Sequence, residues 1–328
     1  MKIGVLCSGG DAPGMNPCIR AIVRAAEKFE GYSVVGIRHG YQGLLDREFW
    51  GGTDRKIESR EVSGLMNRGG SFINSSRCSR MREPEGLREA ANVLTELRFD
   101  ALITIGGNGT LSGARDLGEY WNGQIIGIPG TIDNDICGSD FTIGFPTAVQ
   151  TGVEAIDKLR DTAGSHDMMF LVEVMGRHCG DLATYTAIAG GCEVVAIPET
   201  KTSIPEIVDE LNYCKKLGKR SIIMVVAEGD EFGNSSDVMK ALKEAGCPYE
   251  MRNVVLGHVQ RGGSPVPADR ILATRLGVCA VDAIKDGKTG VMVGFVDGKF
   301  TYTRLDEAVA GRRGNAAEME KLVRRMTI

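Results

Sequence analysis

Residues 124–136 read QIIGIPGTIDNDI: an apolar run, a Pro-Gly step, then aspartates at 133 and 135. The run Gln124–Ile128 has the length and composition of a strand covered on both faces. Acids crowded behind such a strand are costly if buried without a use. In an extended segment residues i and i+2 face the same side, so Asp133 and Asp135 can point together. Paired acids repel unless a cation or a reacting proton employs them. An Asx-turn network capping the loop is the plainer alternative.

The same grammar recurs on both sides of this stretch. Short apolar runs at Ile3–Cys7, Ser33–Ile37, Ala101–Ile105, Met169–Val174, Val194–Ile197, Ile222–Ala227 and Val254–His258 read as strands. Helical periodicity covers Asn16–Phe29, Glu85–Leu97, Thr110–Leu117, Thr147–Leu159, Asp181–Ala189, Ile204–Lys216, Asp269–Ile284 and Asn315–Met326. Alternating strands and helices, with strands apolar almost throughout, predict an α/β fold of mainly parallel sheets. Asp297-Gly298 between alternating residues of Val293–Thr303 predicts a late antiparallel hairpin.

Composition sets the bounds. The chain has 328 residues, 42% hydrophobic and 25% charged, with a net charge of −4. That suits two domains or one large α/β unit. No Lys/Arg-rich run marks a nucleic-acid partner, and no run of about 18 apolar residues marks a membrane span. The nine cysteines include no C-x-x-C pair, and MKIGVLCSGG reads as a buried strand rather than a leader. Both fit reduced thiols in a cytoplasmic protein.

Ligands of such folds bind where strands end. Six glycine- or acid-rich segments stand there: 8–16 (SGGDAPGMN), 106–110 (GGNGT), 129–135 (PGTIDND), 175–181 (MGRHCGD), 227–231 (AEGDE) and 257–265 (GHVQRGGSP). Gly9-Gly10 and Gly106-Gly107 precede helix starts, where backbone N–H groups attract phosphate; tight turns needing positive φ are the alternative. Phosphoryl transfer would employ both aspartates, one carboxylate accepting a proton and the other helping to hold Mg²⁺. Arg77 lies among small polar residues that cannot bury it, and Arg177, Arg252 and Arg261 lie at or near strand ends; planar guanidinium suits phosphate. His178 and His258 taken singly read as structural residues.

In this order, SGGDAPGMN, NRGGS, GGNGT, PGTIDNDI with TIGFPTA, VEVMGRHCGD, AIAGGCE and LGHVQRGGSPVPADR resemble the bacterial ATP-dependent 6-phosphofructokinases, over residues 1 to about 285. The resemblance implies two three-layer, Rossmann-like lobes with an active-site cleft between them: 1–144 plus 259–308 for ATP, and 145–258 plus 309–328 for the sugar phosphate. It implies transfer of the ATP γ-phosphate to fructose 6-phosphate with Mg²⁺, in a cytoplasmic homotetramer. Asp133 takes the position of the general base, with Thr131 and Arg77 acting on the transferred group. Asp135 and Asn108 take metal positions, and Gly10, Tyr41, Arg77, Cys78, Gly107, Asn108, Gly109 and Thr110 take ATP positions. Thr131, Ile132, Asp133, Met175, Gly176, Arg177, Glu228, Arg252, His258 and Arg261 take substrate positions. Arg20, Arg24, Arg160, Glu193, Lys219 and Arg220 match an effector site for a nucleotide or a phosphoenolpyruvate-type ligand.

Four features mark this chain within the resemblance. Pyrophosphate-using relatives carry Asp at the position of Gly109 and Lys at that of Gly130; glycine at both leaves room for a nucleotide. Asn108 replaces a metal-associated Asp, which removes one anion. Met168 replaces an arginine that reaches the sugar phosphate, and Ser59 and Gly64 replace effector-site Arg and Asp. A pyrophosphate-dependent enzyme, a kinase for another sugar phosphate and a weakly active regulatory paralogue stay open as alternatives.

Overall fold

The computed structural model describes residues 1–311 and 315–327. Its strands, in chain order, are Lys2–Ser8 (β1), Ser33–Ile37 (β2), Ser75–Ser76 (β3), Ala101–Gly106 (β4), Gln124–Thr131 (β5), Ile143–Gly144 (β6), Met168–Val174 (β7), Val194–Ala196 (β8), Ile222–Ala227 (β9), Glu250–Val255 (β10), Val291–Val296 (β11) and Lys299–Arg304 (β12). Its α-helices are Met15–Ala26 (α1), Gly40–Leu45 (α2), Pro84–Glu96 (α3), Asn108–Leu117 (α4), Phe145–His166 (α5), Asp181–Ala189 (α6), Ile204–Lys216 (α7), Ser235–Glu244 (α8), Pro267–Lys285 (α9), Leu305–Ala310 (α10) and Ala316–Arg325 (α11).

Internal contacts divide the chain into two units. The first holds Met1–Thr131, Ile136–Thr147 and the stretch from Arg261 up to α11; the second holds Ile132–Asp135, Ala148–Gln260 and α11. The sequence reading keeps 132–135 within 1–144, whereas here those four residues group with the second unit. Residues 312–314 and 328 of the expected 309–328 tail lie outside the described residues.

In the first unit one sheet runs β12-β11-β5-β4-β1-β2, with β3 beside β1 and β6 beside β5. Its strand pairings are parallel except for the β11–β12 hairpin, whose Asp297 and Gly298 both take positive φ. In the second unit the sheet β10-β7-β9-β8 is parallel throughout. Every residue of β4 and β9 is buried, which is why these strands read as unbroken apolar runs. Alternate residues of β7 and β9 feed two cores. Val172, Val174, Ile223 and Val225 join one cluster; Leu171, Ile222, Met224 and Val226 join the other. The α/β class with mainly parallel sheets is thus as the periodicity predicts.

Some elements depart from expectation. The strand expected at Val254–His258 lies earlier, at Glu250–Val255, and Gly257–Arg261 turns as a 3-10 helix. This strand is a sheet edge that pairs with β7 alone, so polar Glu250 and Arg252 are tolerated on it, while apolar Val255 and Val259 are exposed. The helix expected at Thr147–Leu159 starts at Phe145 and continues to His166. Helices α2, α8 and α10 are additions. The start of α8 carries a capping box: the Asn234 side chain accepts from the Asp237 N–H at 3.2 Å, and the Asp237 carboxylate accepts from the Asn234 N–H at 3.2 Å. All nine cysteines are free thiols. Among the described residues no helix is long and apolar enough to cross a membrane.

The start of α5 hangs on one carboxylate. Asp269, on α9, is fully buried and accepts hydrogen bonds from the Gly144 N–H at 2.7 Å, the Thr147 N–H at 2.8 Å and the Thr147 hydroxyl. Helix N-termini have orphan N–H groups that need such acceptors. Burial lifts the Asp269 pKa from 3.8 to about 6, against the pull of its three donors.

Asp269→Ala strips two buried N–H groups of their acceptor and should cost about 3 kcal/mol or more, read as a lower urea midpoint. It should also remove a pH dependence. The folded pKa lies above the unfolded one, so this group's contribution is full below 3.8 and lost as pH rises through about 6. Wild-type stability should fall across that window relative to the alanine variant; parallel pH profiles would refute the assignment.

Candidate active site

Three segments of the first unit leave adjacent parallel strands. Register pairs Ser8 with Gly106 and Gly106 with Pro129, so the segments after β1, β4 and along the end of β5 emerge side by side. A Cβ on Gly106 would lie 2.3 Å from Thr110 Oγ1 and 2.5 Å from the Ser8 carbonyl oxygen. That approach, open only to glycine, lets the Thr110 hydroxyl donate to the Ser8 carbonyl at 2.7 Å. Helix α4 begins at Asn108, so its N-terminal turn opens at Gly107–Gly109, beside the end of β1. Thr131 ends β5, and its carbonyl accepts the Thr142 hydroxyl at 2.6 Å.

The two glycines that bear on donor size differ in kind. Gly109 is exposed, and a Cβ there meets nothing within 4 Å. Gly130 is buried, and a Cβ there meets Ile105 Cγ2 at 3.0 Å and Met15 Cε at 3.3 Å. Asn108 and Cys78 are half-buried, and Arg77 is exposed with no hydrogen-bond or ion-pair partner among the described residues. Gly10 packs on Arg261, whose Nη1 would lie 2.6 Å from a Cβ at position 10 and which donates to the Asp11 carbonyl at 3.1 Å. Arg261 thus stands in the first unit beside Gly10. Tyr41 is buried; its hydroxyl donates to the Thr110 carbonyl at 2.8 Å and its ring covers Gly113. It supports the start of α4 from below, and burial pushes its phenol pKa up.

In the second unit the segments after β7, β9 and β10 emerge together, because β7 lies between the other two. Gly229 allows the loop after β9 to touch the Arg177 backbone: a Cβ there would fall 1.5 Å from the Arg177 carbonyl oxygen. The Arg177 N–H donates to Glu228 Oε1 at 3.0 Å. The Arg177 guanidinium is half exposed, with Nε 3.8 Å from Asp133 Oδ2, and Asp133 is 4% exposed. Ile132 is fully buried, and Asp135 is half-buried. Arg252 is exposed and paired with Glu250 at 2.8 Å; His178 and His258 are exposed. Gln260, which the sequence reading passed over, is fully buried. Its Oε1 accepts from the Met175 N–H at 2.9 Å and its Nε2 donates to the Ala148 carbonyl at 3.4 Å, fixing the first residue of the loop after β7. Its partner lies 85 residues away, so no local signal marks it.

The residues matched to an effector site fall in both units. Glu193 is buried; Lys219 Nζ reaches its carboxylate at 3.0 Å and Arg160 Nη1 at 3.5 Å, and it accepts from the Ile223 N–H at 2.7 Å. Arg220 turns to Asp167 at 2.6 Å. Arg20 and Arg24 belong to the first unit, where Arg24 reaches the Ser63 hydroxyl at 3.4 Å and Ser59 binds Glu27 through its N–H and hydroxyl. A cavity of about 40 Å³ near the start of α7, lined by Thr202, Glu206, Glu210, Glu320 and Arg324, contains none of the residues chosen from the sequence and has room only for water. Among the described residues no group of three or more His, Cys, Asp or Glu is placed to hold a metal.

The sequence profile of the family described as Phosphofructokinase matches residues 2–284. The chain is 46% identical over 325 residues to the ATP-dependent 6-phosphofructokinase of Clostridioides difficile (strain 630), covering 98% of each. It is also 46% identical over 312 residues to the ATP-dependent 6-phosphofructokinase 1 of Thermus thermophilus, covering 95% of each. Among solved structures, phosphofructokinase from Saccharomyces cerevisiae is similar at a TM-score of 0.86 and 35% identity, over 100% of this chain and 48% of that one. The pyrophosphate-dependent phosphofructokinase from Marinobacter aquaeolei shares the fold, at a TM-score of 0.84 and 19% identity over 98% of this chain and 91% of that one.

Gln260→Leu should leave the Met175 N–H buried without its acceptor, at a cost of about 1–3 kcal/mol. The expected readout is faster hydrogen exchange at Met175 and its loop neighbours, with exchange in β4 unchanged. Wild-type protection at Met175 in the variant would remove Gln260 from the support of this loop.

Proposed function

The chain belongs to the phosphofructokinase family, and from that premise we propose that it phosphorylates fructose 6-phosphate with ATP, giving fructose 1,6-bisphosphate and ADP, a committed step of glycolysis in the cytoplasm. The observation that carries the reading is the Asp133 carboxylate, buried yet with Arg177 Nε at 3.8 Å. Asp133 would accept the proton of the sugar 1-hydroxyl as that oxygen attacks the γ-phosphorus. The bond from the γ-phosphorus to its bridging oxygen breaks, and ADP leaves. Arg77, exposed and uncommitted to any described side chain, would stabilise charge on the transferred group, with Thr131 as a further contact. In the first unit, Gly10, Cys78 and Gly107–Thr110 would take the nucleotide at the start of α4. In the second, Ile132, Met175–Arg177, Glu228, Arg252 and His258 would take the sugar phosphate. The placement of Arg261 beside Gly10 makes it a support of the glycine turn as well as a candidate phosphate contact.

The donor set fits Mg²⁺, an ion usually held by one or two carboxylates together with substrate phosphates. Asp135 offers a half-buried carboxylate and Asn108, at the start of α4, an amide oxygen, and each would be a ligand for such an ion. When bound it neutralises charge on the polyphosphate. The two glycines support ATP over pyrophosphate: position 109 opens to space, and a side chain at position 130 would require Ile105 and Met15 to shift. Assembly as a homotetramer, with a nucleotide or phosphoenolpyruvate-type effector at the Glu193 cluster, belongs to the same proposal. A second reading, a kinase for a related sugar phosphate, draws on Met168, which packs half-buried against the cluster of Phe170 and Val172 and offers no charge.

Purified protein should phosphorylate fructose 6-phosphate with ATP in preference to pyrophosphate when both donors are crossed against several sugar phosphates. Asp133→Ser should lower kcat by at least about 10²-fold, the scale of a lost general base. Near wild-type turnover in that variant would take Asp133 out of the mechanism.

Met168→Arg introduces a guanidinium able to bond the sugar phosphate, an interaction worth about 1.5–3 kcal/mol. KM for fructose 6-phosphate should drop roughly tenfold, at about 1.4 kcal/mol per decade, with kcat kept. No change, or lost activity on a different sugar phosphate, would favour the second reading.

A further inference from the structure

We infer that the buried Asn134–Asp181 pair is a positioning device: its amide-to-carboxylate hydrogen bond aims the Asp133 carboxylate at the reacting hydroxyl. The inference rests on the role of Asp133 given above. Asn134 stands between Asp133 and Asp135 and is 1% exposed. Its φ is 54°, the left-handed region that asparagine enters more readily than other side-chain-bearing residues. Its side chain is committed, since Nδ2 donates to Asp181 Oδ2 at 2.8 Å. Asp181 is equally buried and begins α6, where the helix N-terminus favours a carboxylate.

The receiving end is itself held. The Gly180 N–H donates to Glu199 Oε1 at 2.8 Å, and the Thr184 hydroxyl donates to the Gly180 carbonyl at 3.0 Å and the Asp181 carbonyl at 3.1 Å. A Cβ on Gly180 would fall 2.7 Å from Ile197 Cβ, so the turn packs against its neighbour without slack. Ile132, fully buried, pins the other side of Asp133. The reacting carboxylate therefore sits between two buried residues, one anchored by packing and one by its hydrogen bond to Asp181. Rates fall steeply when a reacting group is displaced by about 1 Å, on the order of 10²-fold. A bond that fixes the residue next to Asp133 is thus expected to act on turnover, while the surfaces that bind the two substrates keep their shape.

Asn134→Gly tests this, because glycine keeps the positive φ and removes the amide. Its kcat should fall by about 30-fold or more, towards the scale given above. KM for ATP and for fructose 6-phosphate should stay within about threefold of wild type, with the melting temperature lowered by about a few degrees because the buried Asp181 carboxylate loses a donor. Asp181→Ala should lose turnover to a similar degree. Asp181→Asn, which retains an acceptor oxygen for Asn134, should recover most of that loss. Should Asp181→Ala fold poorly, Asn134→Gly and Asp181→Asn decide the matter. Wild-type kcat in Asn134→Gly overturns the inference, as does a fall in kcat matched by risen KM values, which is the pattern of general disturbance. Wild type and Asp133→Ser are measured alongside. If wild type turns over and Asp133→Ser does not, the function stands whatever the pair does; if wild type lacks the activity, the functional reading and this inference fall together.

Discussion

Parallel pairing sends the ends of neighbouring strands to one edge of a sheet, and each unit is organised by that constraint. In the first unit, β1, β4 and β5 lie side by side, with Ser8, Gly106 and Pro129 in register. Their glycine turns must therefore converge, and Gly106 brings two of them within the span of one hydroxyl hydrogen bond. In the second unit, β7 lies between β9 and β10, so the loops after all three converge as well. Chemistry needs polar groups and mobile protons, and the largely apolar sheet interiors supply few of them. The edges supply both, because strand pairing ends there and backbone groups turn to side chains for partners.

What the sequence made legible was whatever leaves a local mark. Apolar runs between glycines gave β1, β4, β5, β7 and β9, and the Asp297-Gly298 pair gave the hairpin. The α8 capping box at Asn234 and Asp237 was equally local and could have been read. The edge strand β10 misled because VVLGHV looks like a core run, while Gly257, at φ 54°, breaks it into a 3-10 turn. The buried polar contacts were hidden for a different reason. Gln260 meets Met175 across 85 residues, Asn134 meets Asp181 across 47, and Asp269 meets Gly144 across 125. Each is an ordinary polar residue in its own segment, and only tertiary structure brings its partner to it.

The ionic arrangement shows the same division. Arg160 and Lys219, both half-buried, pair with the buried Glu193 carboxylate, and removing either cation would leave part of that carboxylate uncompensated. Arg220, adjacent in sequence to Lys219, joins an exposed pair with Asp167, where screening by water leaves little net stabilisation. Neighbours in the chain can thus have unequal weight. A single substitution such as Ser59 for arginine also does not leave a gap, because Glu27 takes up its hydroxyl and N–H.

Glycine recurs at 109 and 130 for unlike reasons, and this orders the mutational routes open to the family. An acidic side chain at 109 enters empty space, so it is accessible in one step. A lysine at 130 meets Ile105 and Met15 at once, and both side chains must give way. Lineages that exchange one phosphoryl donor for another are thus expected to show epistasis. A smaller residue at 105 or 15 should precede the change at 130, while the change at 109 is free to come at any time.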